Sequence, residues 1–146
     1  DIVMLGYFLN AEELASEIRD KHPELLSRIL VIDFNLQSHS RIKKLGFNVA
    51  YGDIGNLDTL RHHGIAHAKI ILSTISNSFL RGITNQELVE EIKKINPTAR
   101  VIATADREED VSELRRLGAF RAISVSRCAA PAYLTAIEDA LLTDHA

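Results

Sequence analysis

The sequence predicts an α/β fold: a doubly wound parallel six-stranded sheet with helices on both faces. Three observations predict it. Short β-branched runs alternate with segments of helical spacing six times over. The connections between them are short, as in βαβ units. The runs are also apolar on both faces, as strands covered by helices on two sides require. Right-handed crossovers follow from the twist of such strands.

Each element has its own signal. Residues 1–5 form an apolar strand ending at Gly6. Residues 11–20 place Ala11, Leu14, Ala15 and Ile18 at helical spacing. Residues 28–33 are a β-branched run closed by Asp33. Residues 38–45 form a short helix stopped by Gly46. A third strand spans 48–51 and a helix spans 57–63, stopped by Gly64. Residues 68–73 form the fourth strand. A long helix is expected over 78–95, with Gly82 inside it and Asn96-Pro97 ending it. Residues 100–105 form the fifth strand, 108–117 a helix stopped by Gly118, and 120–125 the sixth strand. Residues 132–142 form the last helix.

Composition narrows the class. The 146 residues carry 17 basic and 20 acidic side chains, a net charge of −3, and 46% are hydrophobic. That length suits one domain over 1–146, able to bury roughly 70% of its unfolded surface. No apolar run approaches the roughly 18 residues of a membrane span. The acidic balance argues against nucleic acid as a partner. The one cysteine, Cys128, excludes an internal disulfide and is expected as a small buried residue. The chain opens at Asp1 without Met, which is expected of a piece of a longer polypeptide.

In such a sheet the ligand crevice lies at the carboxyl ends of the strands, where strand order reverses. The first turn reads Gly6-Tyr7-Phe8-Leu9-Asn10-Ala11. A dinucleotide turn would read G-x-G-x-x-G or G-x-G-x-x-A, so Phe8 replaces the glycine that lets a pyrophosphate approach the backbone. Gly6 equally suits a plain strand-to-helix turn. Asp33 closes the second strand, where an acid would bond a ribose hydroxyl pair. It lies further past Gly6 than the usual spacing of about 20. The alternative is an acid capping the next segment through Asn35 and Gln37. Asp53 follows Gly52 and either faces an adenine or caps its turn. Ser73 and Thr74 end the fourth strand; Thr104 and Asp106 end the fifth. The candidate binding set is Gly6, Tyr7, Phe8, Asp33, Phe34, Asp53, Ile54, Ser73 and Thr74.

Catalytic and metal constellations are absent from the sequence. There is no G-x-S-x-G elbow, HExxH or Walker A loop. His62, His63 and His67 fall on or near one helix without carboxylates at ligand spacing, so a solvated face is expected.

Tyr51-Gly52-Asp53, Leu57–Leu60, Gly64-Ile65, Ala68–Thr74 and Asn85 resemble the nucleotide-binding half of the regulators of potassium conductance. These are TrkA-N, or RCK N-terminal, domains of bacterial potassium channels, uptake systems and KefB/KefC-type cation–proton antiporters. Asn96-Pro97, Arg100–Ala103 and Glu113–Ala119 extend the likeness, which covers Ile2 to about Val125. The resemblance implies a Rossmann-like, non-catalytic sensing domain on the cytoplasmic face of the membrane. It further implies that nucleotide binding alters domain packing and gates an attached transporter or channel part. It implies a homodimer or larger ring, with residues 126–146 as a terminal helix at the dimer contact.

By matching position the ligand residues are Gly6, Asp33, Asp53 and the Ser73-Thr74 edge. The resemblance implies NAD(H), AMP, ADP or ATP as ligand. Two departures bear on the choice. Phe8 replaces the second glycine, and Thr104 stands where many members carry an arginine. Loss of that charged phosphate contact alone costs roughly 1.5–3 kcal/mol. The expected cofactor is therefore an adenine nucleotide, AMP rather than NAD, or none. Two other functions stay open. One is a degenerate assembly domain that binds no nucleotide, using Tyr133, Leu134, Ile137, Leu141 and Leu142 on a partner copy or on its own sheet. The other is an NAD-dependent oxidoreductase fragment, which would need a substrate domain.

Overall fold

The computed structural model describes residues 1–143. Strands β1 (Ile2–Leu5), β2 (Ile29–Asp33), β3 (Asn48–Tyr51), β4 (Ile70–Ser73), β5 (Arg100–Ala105) and β6 (Arg121–Ser124) form one sheet. Its order is β3-β2-β1-β4-β5-β6, and all five pairings are parallel. Strand order reverses between β1 and β4, so their carboxyl ends flank the crevice. Helices α1 (Leu9–Lys21), α2 (Leu36–Lys44), α3 (Leu57–His62), α4 (Asn85–Ile95), α5 (Glu108–Arg116) and α6 (Val125–Thr143) complete the chain.

The alternation of side chains along each strand builds a core on either side of the sheet. Met4, Ile29 and Val31 pack with Ala11 and Ala15 of α1 and Ile42 of α2. Val3, Leu5, Ile32, Ile71, Val101 and Ala103 point the other way. There they meet Leu60 of α3, Leu88 and Ile92 of α4, and Leu114 of α5. A fully buried aliphatic side chain contributes about 1.5–3 kcal/mol, so these two layers dominate stability. Tyr7 belongs to the first core, edge-on to Phe47 with ring centroids 6.1 Å apart. Burial pushes its phenol pKa up; the Glu12 carboxylate adds to this and Arg41 opposes it.

Three elements differ from expectation. The helix expected from residue 78 starts only at Asn85, because Thr84 caps it and Gly82 adopts a left-handed φ of +72°. Thr84 Oγ1 accepts from the Glu87 amide at 3.2 Å, and Glu87 Oε2 accepts from the Thr84 amide at 2.8 Å. This reciprocal cap fixes the start, and residues 74–84 become a loop over the crevice. The segment before β2, to which no element was assigned, forms a short 3-10 helix, Pro23–Arg28. The last helix begins at Val125, seven residues before the expected start, with Pro131 inside it. No described residue of α6 is buried. Cys128 is consequently exposed, correcting the expectation of a buried thiol: the helix that carries it leaves the domain body.

Asn96 ties the far edge together. It is 4% exposed. Its amide donates to the Ile65 carbonyl at 2.8 Å and the Ala68 carbonyl at 2.9 Å. Its oxygen accepts from Thr98 Oγ1 at 3.0 Å and the Ala99 amide at 3.1 Å.

Asn96→Ala leaves buried carbonyls and an amide unpaired, each at about 1–3 kcal/mol. We expect a loss of about 3 kcal/mol, read by calorimetry as a fall in Tm of roughly 6–12 °C. Tyr7 supplies a second test. Its raised folded-state pKa means its contribution is complete below the ordinary phenol value and is lost as pH rises through the folded value. In denaturant titrations, the stability of wild type relative to Tyr7→Phe is expected to fall above about pH 10.

Candidate functional site

The crevice is built from the turns that leave β1, β2 and β4. Gly6 turns the chain with φ +77°, a conformation open to glycine at little cost. A Cβ there would lie 2.1 Å from Ile75 Cδ1, so Ile75 already fills the space above Gly6. The next amide, of Tyr7, donates to Asp33 Oδ2 at 2.8 Å. Asp33 Oδ1 accepts from the Asn35 amide at 2.7 Å. One carboxylate, 6% exposed, thus clamps the β1–α1 turn to the β2–α2 turn. Each carboxylate oxygen retains a further lone pair for a ligand hydroxyl.

Phe8 is the N-cap of α1 and offers no side-chain cap. Its ring is half-exposed and meets Phe79 of the 74–84 loop, centroids 5.1 Å apart and tilted by 57°. This aromatic bridge crosses the crevice. On the β2 side lies a cavity of about 460 Å³ whose lining includes Tyr7, Asp33, Phe34, Ile75 and Arg81. On the β5 side lies one of about 330 Å³ whose lining includes Leu9, Asn10, Thr74, Thr104 and Asp106. Both volumes fall in the range of small-molecule sites, about 300–1,000 Å³.

The expected binding residues separate into groups. Tyr7, Phe8, Asp33 and Phe34 line the β2-side cavity, and Gly6 forms its turn. Ile54 belongs to the same core that Ile75 packs against, its Cδ1 3.7 Å from a Cβ built on Gly6. Asp53 turns back on its own loop, with Oδ1 accepting from the Gly55 amide at 2.8 Å. It is not among the residues lining either cavity. Ser73 donates to Asn85 Oδ1 at 2.7 Å inside the core edge. Thr74 lines the β5-side cavity instead. His63 bonds the Tyr51 carbonyl through Nε2 at 2.9 Å, and His62 and His67 are exposed.

The sequence reading missed Ile75, Phe79 and Arg81. All three stand on the 74–84 loop, of which Thr74 alone was assigned to the site and residues 78–84 were assigned to a helix. Their signal was present: Gly82 and the Thr84-x-x-Glu87 capping pattern both argue against a helix running through residues 78–84. The loop's root is held by side chains. Asn85 Nδ2 donates to the Ile75 carbonyl at 2.8 Å, and Asn77 Oδ1 accepts from the Asn85 amide at 2.7 Å. Asp106 Oδ1 accepts from the Asn77 amide at 3.1 Å and Oδ2 from Ser78 Oγ at 3.3 Å.

Among the described residues no cluster of three or more His, Cys, Asp or Glu is placed to hold a metal. No described helix is long and apolar enough to cross a membrane.

Comparison with known proteins agrees with this architecture. The chain is 29% identical over 91 residues to the glutathione-regulated potassium-efflux system protein KefC of Escherichia coli strain E24377A. That match covers 62% of this chain and 14% of the relative. The TrkA-N domain of the Escherichia coli inner membrane protein ybaL has the same fold, with TM-score 0.74 and 19% identity, covering 92% of this chain and 93% of that one. A GsuK channel bound to NAD aligns with TM-score 0.69 and 20% identity, over 87% of this chain and 22% of that one. The TrkA-N domain family matches residues 2–125, and the chain belongs to that family.

Proposed function

We propose that this domain is a non-catalytic sensor that regulates a potassium or other cation transporter or channel. Its ligand in this reading is an adenosine mononucleotide such as AMP. The observation that carries the ligand choice is the divided crevice. Ile75 sits on Gly6, and the Phe8–Phe79 bridge stands where a pyrophosphate would cross. The β2-side cavity fits an adenosine monophosphate chemically. Asp33 can accept from ribose hydroxyls, and the exposed ring of Phe34 gives a base a face to stack on. Arg81, which has no carboxylate partner among the described residues, offers a phosphate its charge. The opposite cavity has Thr104 and Asp106 but no cation in its lining, which disfavours a second phosphate.

The relatives support the wider role. KefC is named for regulated potassium efflux, and GsuK is a channel. In the proposed scheme the domain lies on the cytoplasmic face and is attached to a membrane-embedded part. A nucleotide gates that part only if it binds one packing of the domains better than another; equal affinity shifts nothing. The packing contact in this scheme is α6. Tyr133, Leu134, Ile137, Leu141 and Leu142 are all exposed on it. On the sheet, Ile123 of β6 is exposed, and neither it nor Ile102 of β5 joins either core. An apolar helix leaving the body beside such a strand pair suits a reciprocal dimer. The expected contact over 126–146 extends into residues 144–146, which lie outside the described ones.

Two measurements test these proposals. At about 100 times its Kd, a ligand adds roughly 2.7 kcal/mol, a rise in Tm of about 5–10 °C. AMP is expected to give that shift and NAD none at equal concentration. Asp33→Asn should reduce the AMP response, and Phe8→Gly should admit NAD. An equal NAD shift on wild type would defeat the reading of the bridge; no shift with any nucleotide would favour the assembly role. For α6, sedimentation should show a dimer that Leu134→Glu with Ile137→Glu converts to monomer while Tm barely changes.

A further inference from the structure

The edge of the sheet remote from the crevice gathers cations. Lys69 leads into β4, Arg100 opens β5 and Arg121 opens β6. These strands are neighbours, with Ile70 beside Arg100 and Ile102 beside Arg121. Arg100 and Arg121 both lean on the exposed ring of Phe120, their Cζ atoms 5.4 and 5.5 Å from its centroid. Neither has a carboxylate partner among the described residues. Two like charges on one ring repel each other, so the pair calls for an explanation. Stacking fixes a guanidinium by its face and leaves the N–H edge free to donate.

A groove of about 640 Å³ runs past Arg100, and its lining includes His67, Lys69, Asn96 and Thr98 but no Asp or Glu. Acceptors along its wall are engaged. Asn96 Nδ2 donates to the Ile65 and Ala68 carbonyls, and the Arg100 amide donates to that of Lys69 at 2.9 Å. Asn96 Oδ1 accepts from Thr98 and Ala99, and Lys93 Nζ donates to the Pro97 carbonyl at 2.6 Å. Donors are left over. The Arg100 guanidinium and the His67 ring make no hydrogen bond among the described residues. Lys69 Nζ has only Asp1 Oδ1, at 3.8 Å, and Arg28 holds that carboxylate more closely, at 2.9 Å. Spent acceptors and unspent donors, with no acid among them, suit an anion.

Neighbouring strands lie about 4.8 Å apart, so the starts of β4, β5 and β6 span roughly 10 Å. One phosphate does not reach across that width; a row of two or three does. Guanidinium forks take phosphate oxygens in pairs. We infer that this edge binds a row of phosphates, either linked in one oligophosphate or side by side on an anionic lipid surface. Lys69, Arg100 and Arg121 take the charge, and His67 and Thr98 border it. The site goes beyond the proposed sensor role, and its groove shares no residue with the β2-side cavity.

The probe is inorganic triphosphate, titrated by calorimetry at low ionic strength with and without saturating AMP. Flotation with vesicles of phosphatidylglycerol and of phosphatidylcholine separates the two sources. Triphosphate is expected to bind equally with and without AMP, and monophosphate about tenfold more weakly. Arg100→Gln with Arg121→Gln should weaken triphosphate about tenfold or more, and Lys69→Gln severalfold. Tm without ligand should hold in both variants, because all three side chains are exposed. A lipid source adds flotation with phosphatidylglycerol alone, lost in the arginine variant; a free source gives no flotation. Silence from both triphosphate and vesicles would overturn the inference. So would equal binding of monophosphate, or tighter binding of a DNA duplex. Displacement by AMP, or loss of triphosphate binding in Arg81→Gln, would move the anion to the crevice and overturn it too. Failure of AMP while triphosphate still binds would instead sink the nucleotide reading and leave this edge standing.

Discussion

The Asp33 carboxylate is the contact on which the crevice depends. Two backbone amides from separate turns, those of Tyr7 and Asn35, point at its two oxygens. Hydrogen bonds to a charged group contribute about 1.5–3 kcal/mol each. They hold the left-handed turn at Gly6 against the end of β2, and so set where α1 begins. Phe8 is then N-cap, and its ring must project over the crevice rather than into the core. Burying an acid here is tolerable because it is paired twice, and useful because its remaining lone pairs face a cavity.

The second constraint is the 74–84 loop. Its root is a polar network in which Ser73, Asn77 and Asn85 satisfy one another and the Ile75 carbonyl. Asn77 Nδ2 reaches Gln86 Oε1 at 2.8 Å, linking the root to the first turn of α4. Asp106 extends it to the end of β5. With the root held this way, Phe79 reaches Phe8, and the β2-side cavity gains Arg81. The halves of the crevice differ in charge: Asp33 and Arg81 line the β2 side, and Asp106 alone is charged on the β5 side.

The fold was legible in the sequence because it depends on short-range patterns. Strands such as Ile29–Asp33 and stops such as Gly46 and Gly64 carry their signal within a few residues. The site was legible only in part. Asp33 could be placed at a strand end, but its two readings, ribose acceptor and turn cap, were not separable. The structure shows Asp33 bonding the Tyr7 and Asn35 amides, while the bond from the Gln37 amide that caps α2 goes to Asn35 Oδ1. Asp53 carried a similar positional signal, yet its side chain satisfies its own turn at Gly55. Phe79 and Arg81 were hidden because helical periodicity was extended through Gly82. The capping box at Thr84 is readable as Thr-x-x-Glu, and giving it priority would have released the loop. That Thr74 Oγ1 is buried without a hydrogen-bond partner could not be read at all, since it depends on where Thr104 and Asn10 spend their own bonds.

The same loop gives the proposed sensor a physical means of coupling. A ligand in the β2-side cavity bears on Ile75, Phe79 and Arg81 of the 74–84 segment. The root of that segment is bonded to α4 through Asn85 and Gln86, and Gln86 Nε2 continues to Asp110 of α5 at 3.4 Å. Those helices pack on the sheet face opposite α1 and α2, so a loop displacement reaches a surface remote from the cavities. The strength of such coupling is bounded by the ligand's differential affinity for the loop arrangements. An aromatic pair of this kind is worth about 0.5–1.5 kcal/mol beyond its buried area. A ligand that merely parts the two rings therefore biases the loop by about tenfold at most. A larger response requires it to engage the charged side chain of the loop, Arg81, as well.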